Sequence, residues 1–254
     1  MPFEIPPKLI DILRSIRHIA VLSGSGISAE SGVPTFRDAQ TGLWAQYDPL
    51  ELATPEAFQR NPKLVWEWYT WRRELVSRAQ PNSGHIALAQ IESRLTQNGL
   101  RFTLVTQNVD GLHQLAGSRN VIELHGNIHR TKCSREGDII EEWPNTGETP
   151  PHCPRCNAYL RPDVVWFNET LPPEALNAAT LAAQTCDVFF SIGTSALVQP
   201  AASLPLLALE RGAIVVEINP DDTPLTPAVQ YALRGKAGEV LPALVQAVWG
   251  KDPL

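Results

Sequence analysis

Four polar segments of the sequence carry residue types that could bind a ligand or move a proton. The first, residues 24–29 (GSGISA), directly follows an apolar run. Glycines at such a place let the backbone approach a pyrophosphate, whose charge the N-terminus of a following helix stabilises. An ordinary tight turn is the alternative, because a lone G-x-G-x-x-A is weak and the acidic residue that usually follows ~20 positions later is missing.

The second and third segments offer amides, a carboxylate and a histidine. Residues 106–113 (TQNVDGLH) place Gln107 and Asn108 near Asp110, a set that could hold a carboxamide such as nicotinamide. A capped helix start is the alternative for this segment. His125, in ELHGN, suits a general base because the ordinary pKa of histidine lies near neutrality. A single histidine is, however, more often structural than catalytic.

The fourth group of polar residues is the run Gly193-Thr194-Ser195 together with Asn219. These residues could hydrogen-bond to ribose hydroxyls or phosphate, or could form ordinary turns. All four groups end or follow apolar, β-branched runs, which helical segments separate along the chain. The runs are 19–26, 101–108, 120–126, 187–195 and 213–219. This alternation indicates a parallel sheet with helices on both faces, and in such sheets ligands bind beyond the carboxyl ends of the strands.

Two stretches interrupt the alternation and predict a smaller second domain. Residues 46–82 indicate helices with N-caps at Thr54 and Asn61, each followed by a proline. Residues 127–160 hold three of the four cysteines among turn-forming residues. Cysteines this few and this clustered suit a reduced compartment and a metal site better than a disulfide framework.

The cysteines fill three corners of the zinc pattern C-x-x-C…C-x-x-C. They are Cys133, Cys153 and Cys156, and Glu136 stands where the fourth cysteine would be. A carboxylate can bind zinc, and His152 is a second candidate for the open place. The alternative is that the site has decayed and that this part of the chain is held by packing alone.

The bulk composition excludes several classes of function. The chain has 254 residues, of which 43% are hydrophobic, and a formal net charge of −6. This charge gives no basic surface for a nucleic acid or an anionic membrane. We expect no leader peptide in the first residues, because they include Glu4 and Asp11 and lack a continuous apolar run, and no apolar run reaches the ~18 residues of a membrane span. We therefore expect a cytoplasmic protein without a nucleic-acid or membrane partner.

Taken in order, these segments resemble the sirtuin family. The matching stretches are GSGISAESGVPTFRD, TQNVDGLH, LHGN, the cysteine module, VVWF, GTS and VEIN, and the resemblance extends from about residue 18 to the C-terminus. It implies an α/β fold with a Rossmann-like parallel sheet and a smaller helical and zinc-ribbon-like domain. The large domain would comprise residues 1–45, 83–126 and 160–254, and the small domain a helical module (46–82) and a zinc module (127–159).

The resemblance also assigns roles to residues at matching positions. His125 and Asn108 would be catalytic, and Val165, Trp166 and Phe167 would lie along an extended substrate peptide. The residues expected to contact NAD are Gly24, Ser25, Gly26, Phe36, Arg37, Gln107, Asn108, Asp110, Gly193, Thr194, Ser195 and Asn219. Three details depart from the family pattern: Ser25 replaces the usual alanine, Asn168 replaces the usual glycine, and one extra residue stands between Arg37 and Gly42.

The activity that the resemblance implies is NAD-dependent removal of acyl groups from protein lysines. NAD would be a co-substrate, nicotinamide and an O-acyl-ADP-ribose would be released, and zinc would be structural. The substrates would be acyl-lysine proteins or peptides, and the chain would be a monomer. The alternatives are transfer of ADP-ribose to protein or hydrolysis of NAD in the same pocket, or an NAD-sensing module without catalysis.

A tyrosine and an arginine indicate which acyl groups are removed. Tyr69 and Arg72 are three residues apart in a predicted helix, so they share one face. A guanidinium grips a carboxylate through two hydrogen bonds, and a phenol adds another donor. This Y-x-x-R resembles the pair that recognises succinyl- or malonyl-lysine in class III sirtuins, so we expect removal of acetyl and of succinyl or malonyl groups. Alternatively, Tyr69 packs with the neighbouring tryptophans while Arg72 and Arg73 form a solvated face.

Overall fold

A six-stranded parallel sheet organises the larger part of the chain. The computed structural model describes residues 4–34, 48 and 52–250. The strands of the large sheet are β1 (His18–Ser23), β2 (Arg101–Thr106), β3 (Val121–Glu123), β6 (Val188–Ile192), β7 (Ile214–Asn219) and β8 (Tyr231–Arg234). Their order is β3-β2-β1-β6-β7-β8. This confirms the predicted parallel sheet, and the order is that of a Rossmann fold.

Helices cover both faces of this sheet, as the apolar strands require. The helices of the described residues are α1 (Pro7–Ser15), α2 (Pro55–Arg60), α3 (Pro62–Ser77), α4 (Ser83–Gln97), α5 (Leu112–Leu115), α6 (Pro173–Thr185), α7 (Leu204–Glu210) and α8 (Ala237–Trp249). Leucines and valines of α1, α4 and α8 pack on one face, and α6 and α7 pack small residues on the other. None of the described helices has the length and apolar character that crossing a lipid bilayer requires.

A smaller unit packs beside the carboxyl ends of the strands. Its helices α2 and α3 begin at the predicted caps, where Thr54 Oγ1 accepts from Ala57 N and Asn61 Oδ1 accepts from Leu64 N, both at 3.1 Å. Its sheet pairs β4 (Gly126–Cys133) with β5 (Leu160–Val164) in antiparallel fashion. We therefore propose that the small domain extends to the end of β5 at Val164, whereas the sequence predicted its end at residue 159.

Glycine is required where β3 leads into β4. Gly126 has φ +79°, and a side-chain carbon there would lie 2.1 Å from the backbone oxygen of Asp163. Both the left-handed backbone and the pairing of β4 with β5 exclude any side chain. His125 therefore immediately precedes a residue whose conformation is fixed by the small sheet.

We predict that Gly126→Ala costs several kcal/mol of unfolding free energy, measured by urea denaturation. A left-handed alanine costs roughly 1–2 kcal/mol, and the collision with backbone adds about 1–3 kcal/mol. Gly212→Ala is the matched control, because Gly212 has φ +85° with no atom close to the added carbon. Equal losses in the two variants would contradict the steric argument.

Candidate active site

A cleft of about 720 Å³ lies at the carboxyl ends of the strands, against the smaller unit. It brings together residues that are far apart in the sequence. The predicted ligand-binding residues that line it are Gly24, Ser25, Gly26, Gln107, Asn108, Asp110, His125, Gly193, Thr194, Ser195 and Asn219, together with Tyr69, Arg72, Val165, Trp166 and Phe167. Phe36 and Arg37, which we also expect to contact NAD, lie outside the described residues.

The glycines of the first segment are explained by a backbone contact. Gly26 N donates to Gly193 O at 2.9 Å, and a side-chain carbon on Gly24 would lie 2.8 Å from the same oxygen. Gly193 itself has φ +59°, and a side chain there would collide with Ile27 N at 2.5 Å. The turns after β1 and β6 thus touch at the point where the strand order reverses, which is the ligand crevice of a Rossmann fold.

Within residues 24–34, the described part of the chain at and after this glycine segment, no α-helix begins where a helix N-terminus was expected. The described residues form two short 3₁₀ turns instead, Ser25–Ile27 and Ala29–Ser31. The backbone N–H of Gly26, a possible phosphate ligand, is already bonded to Gly193 O. Anion binding at this loop therefore cannot rely on an α-helix dipole in residues 24–34, and the loop contributes close backbone approach instead.

Ser28 joins the first polar segment to the second. Its hydroxyl donates to Asp110 Oδ2 at 2.7 Å and lies 3.1 Å from Asn108 Nδ2. The other proton of the Asn108 amide goes to Gly24 O, also at 3.1 Å. Asp110 Oδ1 accepts from Leu112 N, the first residue of α5, at 2.9 Å. Both amide protons of Asn108 are therefore used within the protein, so this side chain can offer a ligand only its carbonyl oxygen.

Two buried histidines, His85 and His113, were not identified as site residues from the sequence, and each lies within hydrogen-bonding distance of a buried serine. His85 Nε2 lies 3.4 Å from Ser28 Oγ, while its Nδ1 accepts from Asn82 N at the start of α4. Burial lowers the pKa of His85 to about 4 and that of His113 to about 3. Both imidazoles are consequently neutral near pH 7. His113 Nε2 lies 2.8 Å from Ser23 Oγ at the end of β1.

His125 is placed as a neutral imidazole with a defined tautomer. Its Nδ1 lies 2.9 Å from Gln107 O, and since a carbonyl only accepts, Nδ1 carries the proton. Nε2 therefore has the free lone pair. Burial lowers the pKa of His125 below the ordinary 6.5, although the bond to Gln107 O acts in the opposite direction. A base of this kind is available at neutral pH.

The predicted substrate strand follows β5 along the cleft. The backbone N–H groups of Val165, Trp166 and Phe167 donate to His125 O, Glu169 Oε2 and Ala53 O respectively, at 2.8–2.9 Å. An extended ligand beside this segment would therefore have to hydrogen-bond to its carbonyl groups. Asn168 has φ +69°, which explains how it replaces a glycine, because asparagine tolerates the left-handed region better than most residues.

Tyr69 and Arg72 lie on the cleft side of α3. Tyr69 is 2% exposed, and burial raises the pKa of its hydroxyl, which stays protonated. The Arg72 guanidinium lies 5.1 Å from the ring centre of Trp68. Arg73 donates from Nε to Ile128 O at 2.7 Å. One part of the alternative is therefore wrong, because the guanidinium groups of Arg72 and Arg73 make contacts inside the fold and do not form a solvated face. Its other part is confirmed, since the ring of Tyr69 packs edge-on against that of Trp68 with ring centres 4.6 Å apart.

The cysteine module holds a compact set of metal-ligating atoms. One ligand atom each from Cys133, Glu136, Cys153 and Cys156 lies within 4.8 Å of the others. The sulfurs of Cys133 and Cys156 are 3.4 Å apart, close to the roughly 3.8 Å between two thiolates on a tetrahedral zinc. This donor set fits a structural zinc ion with one carboxylate ligand.

His152 stays outside this set. Its Nδ1 lies 2.8 Å from Asn157 O, and its Nε2 lies 3.4 Å from the carboxylate of Glu148. Both ring nitrogens are thus directed to other partners, and of the two candidates for the fourth place only Glu136 joins the cluster.

Comparison with known proteins agrees with this geometry. The family model described as the Sir2 family matches residues 24–200. The NAD-dependent protein deacylase of Methylococcus capsulatus is 51% identical over 98% of this chain and 100% of its own length. A crystal structure of a Sir2 homologue in complex with NAD superposes with a TM-score of 0.87, is 48% identical and covers 97% of this chain and 95% of its own. A Sir2 homologue mutant in complex with 2′-O-acetyl ADP ribose gives a TM-score of 0.85 at 49% identity, with 96% of both chains covered.

We predict about one zinc ion per chain in protein purified without chelators, measured by elemental analysis. Glu136→Ala should weaken zinc binding in a chelator competition by at least the ~10- to 100-fold that loss of an outer-shell partner costs. Glu136→Cys should strengthen it, because it completes a four-thiolate set.

His152→Ala is the control for the zinc site and should bind zinc like the unmodified protein. A zinc content well below one, or equal affinities for Glu136→Ala and the unmodified protein, would contradict the assignment.

Proposed function

The chain belongs to the Sir2 family, and we propose that it is an NAD-dependent protein deacylase acting on acyl-lysine side chains. The observation that carries this proposal is the neutral His125 with a free Nε2 in a cleft that also contains the glycine turns. Binding of a dinucleotide alone needs no base at this place. A base is needed if a hydroxyl of the bound ribose has to lose its proton.

The proposed NAD site runs across the ends of β1, β2, β6 and β7. The turns at Gly24 and Gly193 allow a pyrophosphate to approach the backbone closely. Asn219 Nδ2 donates to Thr194 O at 2.7 Å, which ties β7 to the turn after β6 and leaves the amide oxygen of Asn219 for ribose hydroxyls. When bound, NAD supplies the ribose carbon to which the acyl oxygen is transferred.

Asn108 and Asp110 are proposed to form the pocket for nicotinamide. The carbonyl oxygen of Asn108 can accept from the carboxamide or from a ribose hydroxyl, because its amide protons are bonded to Gly24 O and Ser28 Oγ. Asp110 is 4% exposed and is held by Ser28 and Leu112 N. A polar set fixed in this way can orient the nicotinamide ring.

The peptide and acyl group are proposed to enter beside the segment that follows β5. The carbonyl groups of Val165 and Phe167 can accept from the N–H groups of an extended peptide, a strand-addition mode of binding, whereas that of Trp166 already accepts from Glu169 N at 3.1 Å. The acyl chain then reaches α3, where Tyr69 and Arg72 line the cleft. Both side chains donate hydrogen bonds, which suits an acyl chain that ends in a carboxylate.

The named activity of the relatives favours deacylation over ADP-ribose transfer or NAD hydrolysis. Deacylation makes nicotinamide release depend on an acyl-lysine peptide, whereas hydrolysis does not. The monomeric state and the cytoplasmic location expected from the sequence stay predictions.

The central test of this proposal is His125→Ala, which should lower deacylation by about 10²- to 10⁴-fold, the usual cost of losing a positioned general base. Nicotinamide release with acetyl- and succinyl-lysine peptides is the measurement. In the unmodified protein, kcat/KM should fall as the pH falls through a pKa below 6.5, because the base acts only in its neutral form and burial lowers the pKa of His125.

NAD binding by His125→Ala, measured by calorimetry, is the control for an intact fold. Deacylation by this variant at the normal rate, or an acidic limb centred above pH 6.5, would refute the base assignment.

For acyl selection, we predict that Tyr69→Phe and Arg72→Met lower desuccinylation much more than deacetylation. Loss of a charge-assisted hydrogen bond costs ~1.5–3 kcal/mol, roughly ten- to a hundredfold in rate. Arg60→Met makes the same chemical change on an exposed residue that ends α2 and should alter neither rate. Equal losses on both peptides would show that Tyr69 and Arg72 do not recognise the carboxylate of the succinyl group.

A further inference from the structure

The part of the cleft lined by Tyr69 and Arg72, here called the acyl pocket, contains one hydrogen bond whose donor and acceptor follow from the chemistry of the two groups. Trp166 Nε1 lies 3.0 Å from Tyr69 Oη. An indole N–H can only donate, whereas a phenol both donates and accepts. The oxygen of Tyr69 is therefore the acceptor, and its own proton has to point elsewhere.

That proton has no acceptor within the protein, as far as the described residues extend. Tyr69 lines the cleft, so its O–H is available to whatever binds there. Arg72 lines the same cleft one turn further along α3, and a guanidinium has donors only. With the Trp166 bond in place, Tyr69 and Arg72 both present donors to an acyl chain.

The indole that sets this polarity is itself held firmly. Trp166 is 2% exposed, and the guanidinium of Arg161 lies 3.2 Å from the centre of its ring. Arg161 is held in turn by two hydrogen bonds to the carboxylate of Glu169, at 2.6 and 2.9 Å. Glu169 Oε2 also accepts from the backbone N–H of Trp166 at 2.8 Å. Rotation of the indole away from Tyr69 would break this arrangement.

We propose that Trp166 is a positioning residue for acyl selection: its N–H makes Tyr69 a donor to the acyl group and so biases the pocket toward acyl chains that end in a carboxylate. This inference rests on the proposed deacylase function. An acetyl group ends in a methyl, which leaves the Tyr69 donor without a partner, and an unmade hydrogen bond is costly in a buried site. A carboxylate end accepts from Tyr69 and Arg72 together.

The test is Trp166→Phe, which keeps an aromatic ring and removes the N–H. The measured quantity is the ratio of kcat/KM for a succinyl-lysine peptide to that for the matching acetyl-lysine peptide. We expect this ratio to fall roughly two- to tenfold, the effect of one neutral hydrogen bond. In a Tyr69→Phe background the same substitution should leave the ratio unchanged, because no hydroxyl remains to be oriented. Additive losses would overturn the inference.

Trp66→Phe is the matched control. Trp66 lies on α3, like Tyr69, but packs against Trp143 in the cluster around the cysteines, with ring centres 6.5 Å apart. The Trp66→Phe variant makes the same change from indole to phenyl, and we expect its ratio of kcat/KM for the succinyl and acetyl peptides to stay unchanged. Where Trp166→Phe folds poorly, benzothienylalanine at position 166 keeps the size of the ring and removes only the N–H.

The outcomes distinguish a failure of the proposed deacylase function from a failure of the proposed role of Trp166. If the unmodified protein releases nicotinamide with neither peptide, the proposed function fails and the inference fails with it. If the unmodified protein turns over both peptides and the loss of the indole N–H leaves the ratio unchanged, only the role of Trp166 is refuted. A lower ratio that disappears in the Tyr69→Phe background supports the inference.

Discussion

The contact between the turns at Gly26 and Gly193 determines where ligand-facing groups can lie. Gly26 N bonds to Gly193 O at 2.9 Å, an approach that no side chain on either residue would permit. Because β1 and β6 are adjacent where the strand order reverses, this contact forms the floor of the crevice. The amide of Asn108, which bonds to Gly24 O, takes its position from the same turn.

The polar groups above this floor are buried and therefore have to satisfy one another. Ser28 connects Asn108, Asp110 and His85, so that one hydroxyl accepts from two donors and gives its proton to a carboxylate. Burial of such groups is tolerated only when they are hydrogen-bonded, and the low pKa of His85 avoids a buried cation. The result is a rigid pocket wall, which is what orientation of a reactive ring requires.

The fold could be predicted from the sequence where residues close together in the chain determine the local structure. Apolar runs indicated five of the strands, and Thr54 and Asn61 before prolines indicated two helix starts. Strand β8 (Tyr231–Arg234) was missed because four residues, partly exposed, give no clear alternation. The helix N-terminus expected after the glycine segment is not found within residues 24–34, which form two 3₁₀ turns, and residues 35–47 lie outside the described part of the chain.

The candidate site was predictable mainly through its resemblance to the sirtuins, residue by residue. What could not be predicted depends on contacts between distant parts of the chain. The link from His85 to Ser28 joins residues 57 positions apart, and His85 otherwise has the appearance of a helix cap. The choice between Glu136 and His152 likewise depends on where each side chain points. Sequence spacing puts Glu136 at the place of the fourth cysteine, but it does not show which of the two side chains points toward the other ligands.

His125 lies at the junction between the two sheets. Leu124, just before it, bonds to Thr106 O of the large sheet, and Gly126, just after it, pairs with Val164 of the small one. Its ring is anchored to Gln107 O, on the side of the dinucleotide crevice. Tyr69, by contrast, belongs to a separate hydrophobic cluster built around α3 and β5, and the guanidinium of Arg72 lies over Trp68 of the same cluster. Substitutions of Tyr69 and Arg72 on α3 would leave the bond between His125 and Gln107 O in place, so substrate range can diversify during evolution while the reaction chemistry is inherited unchanged.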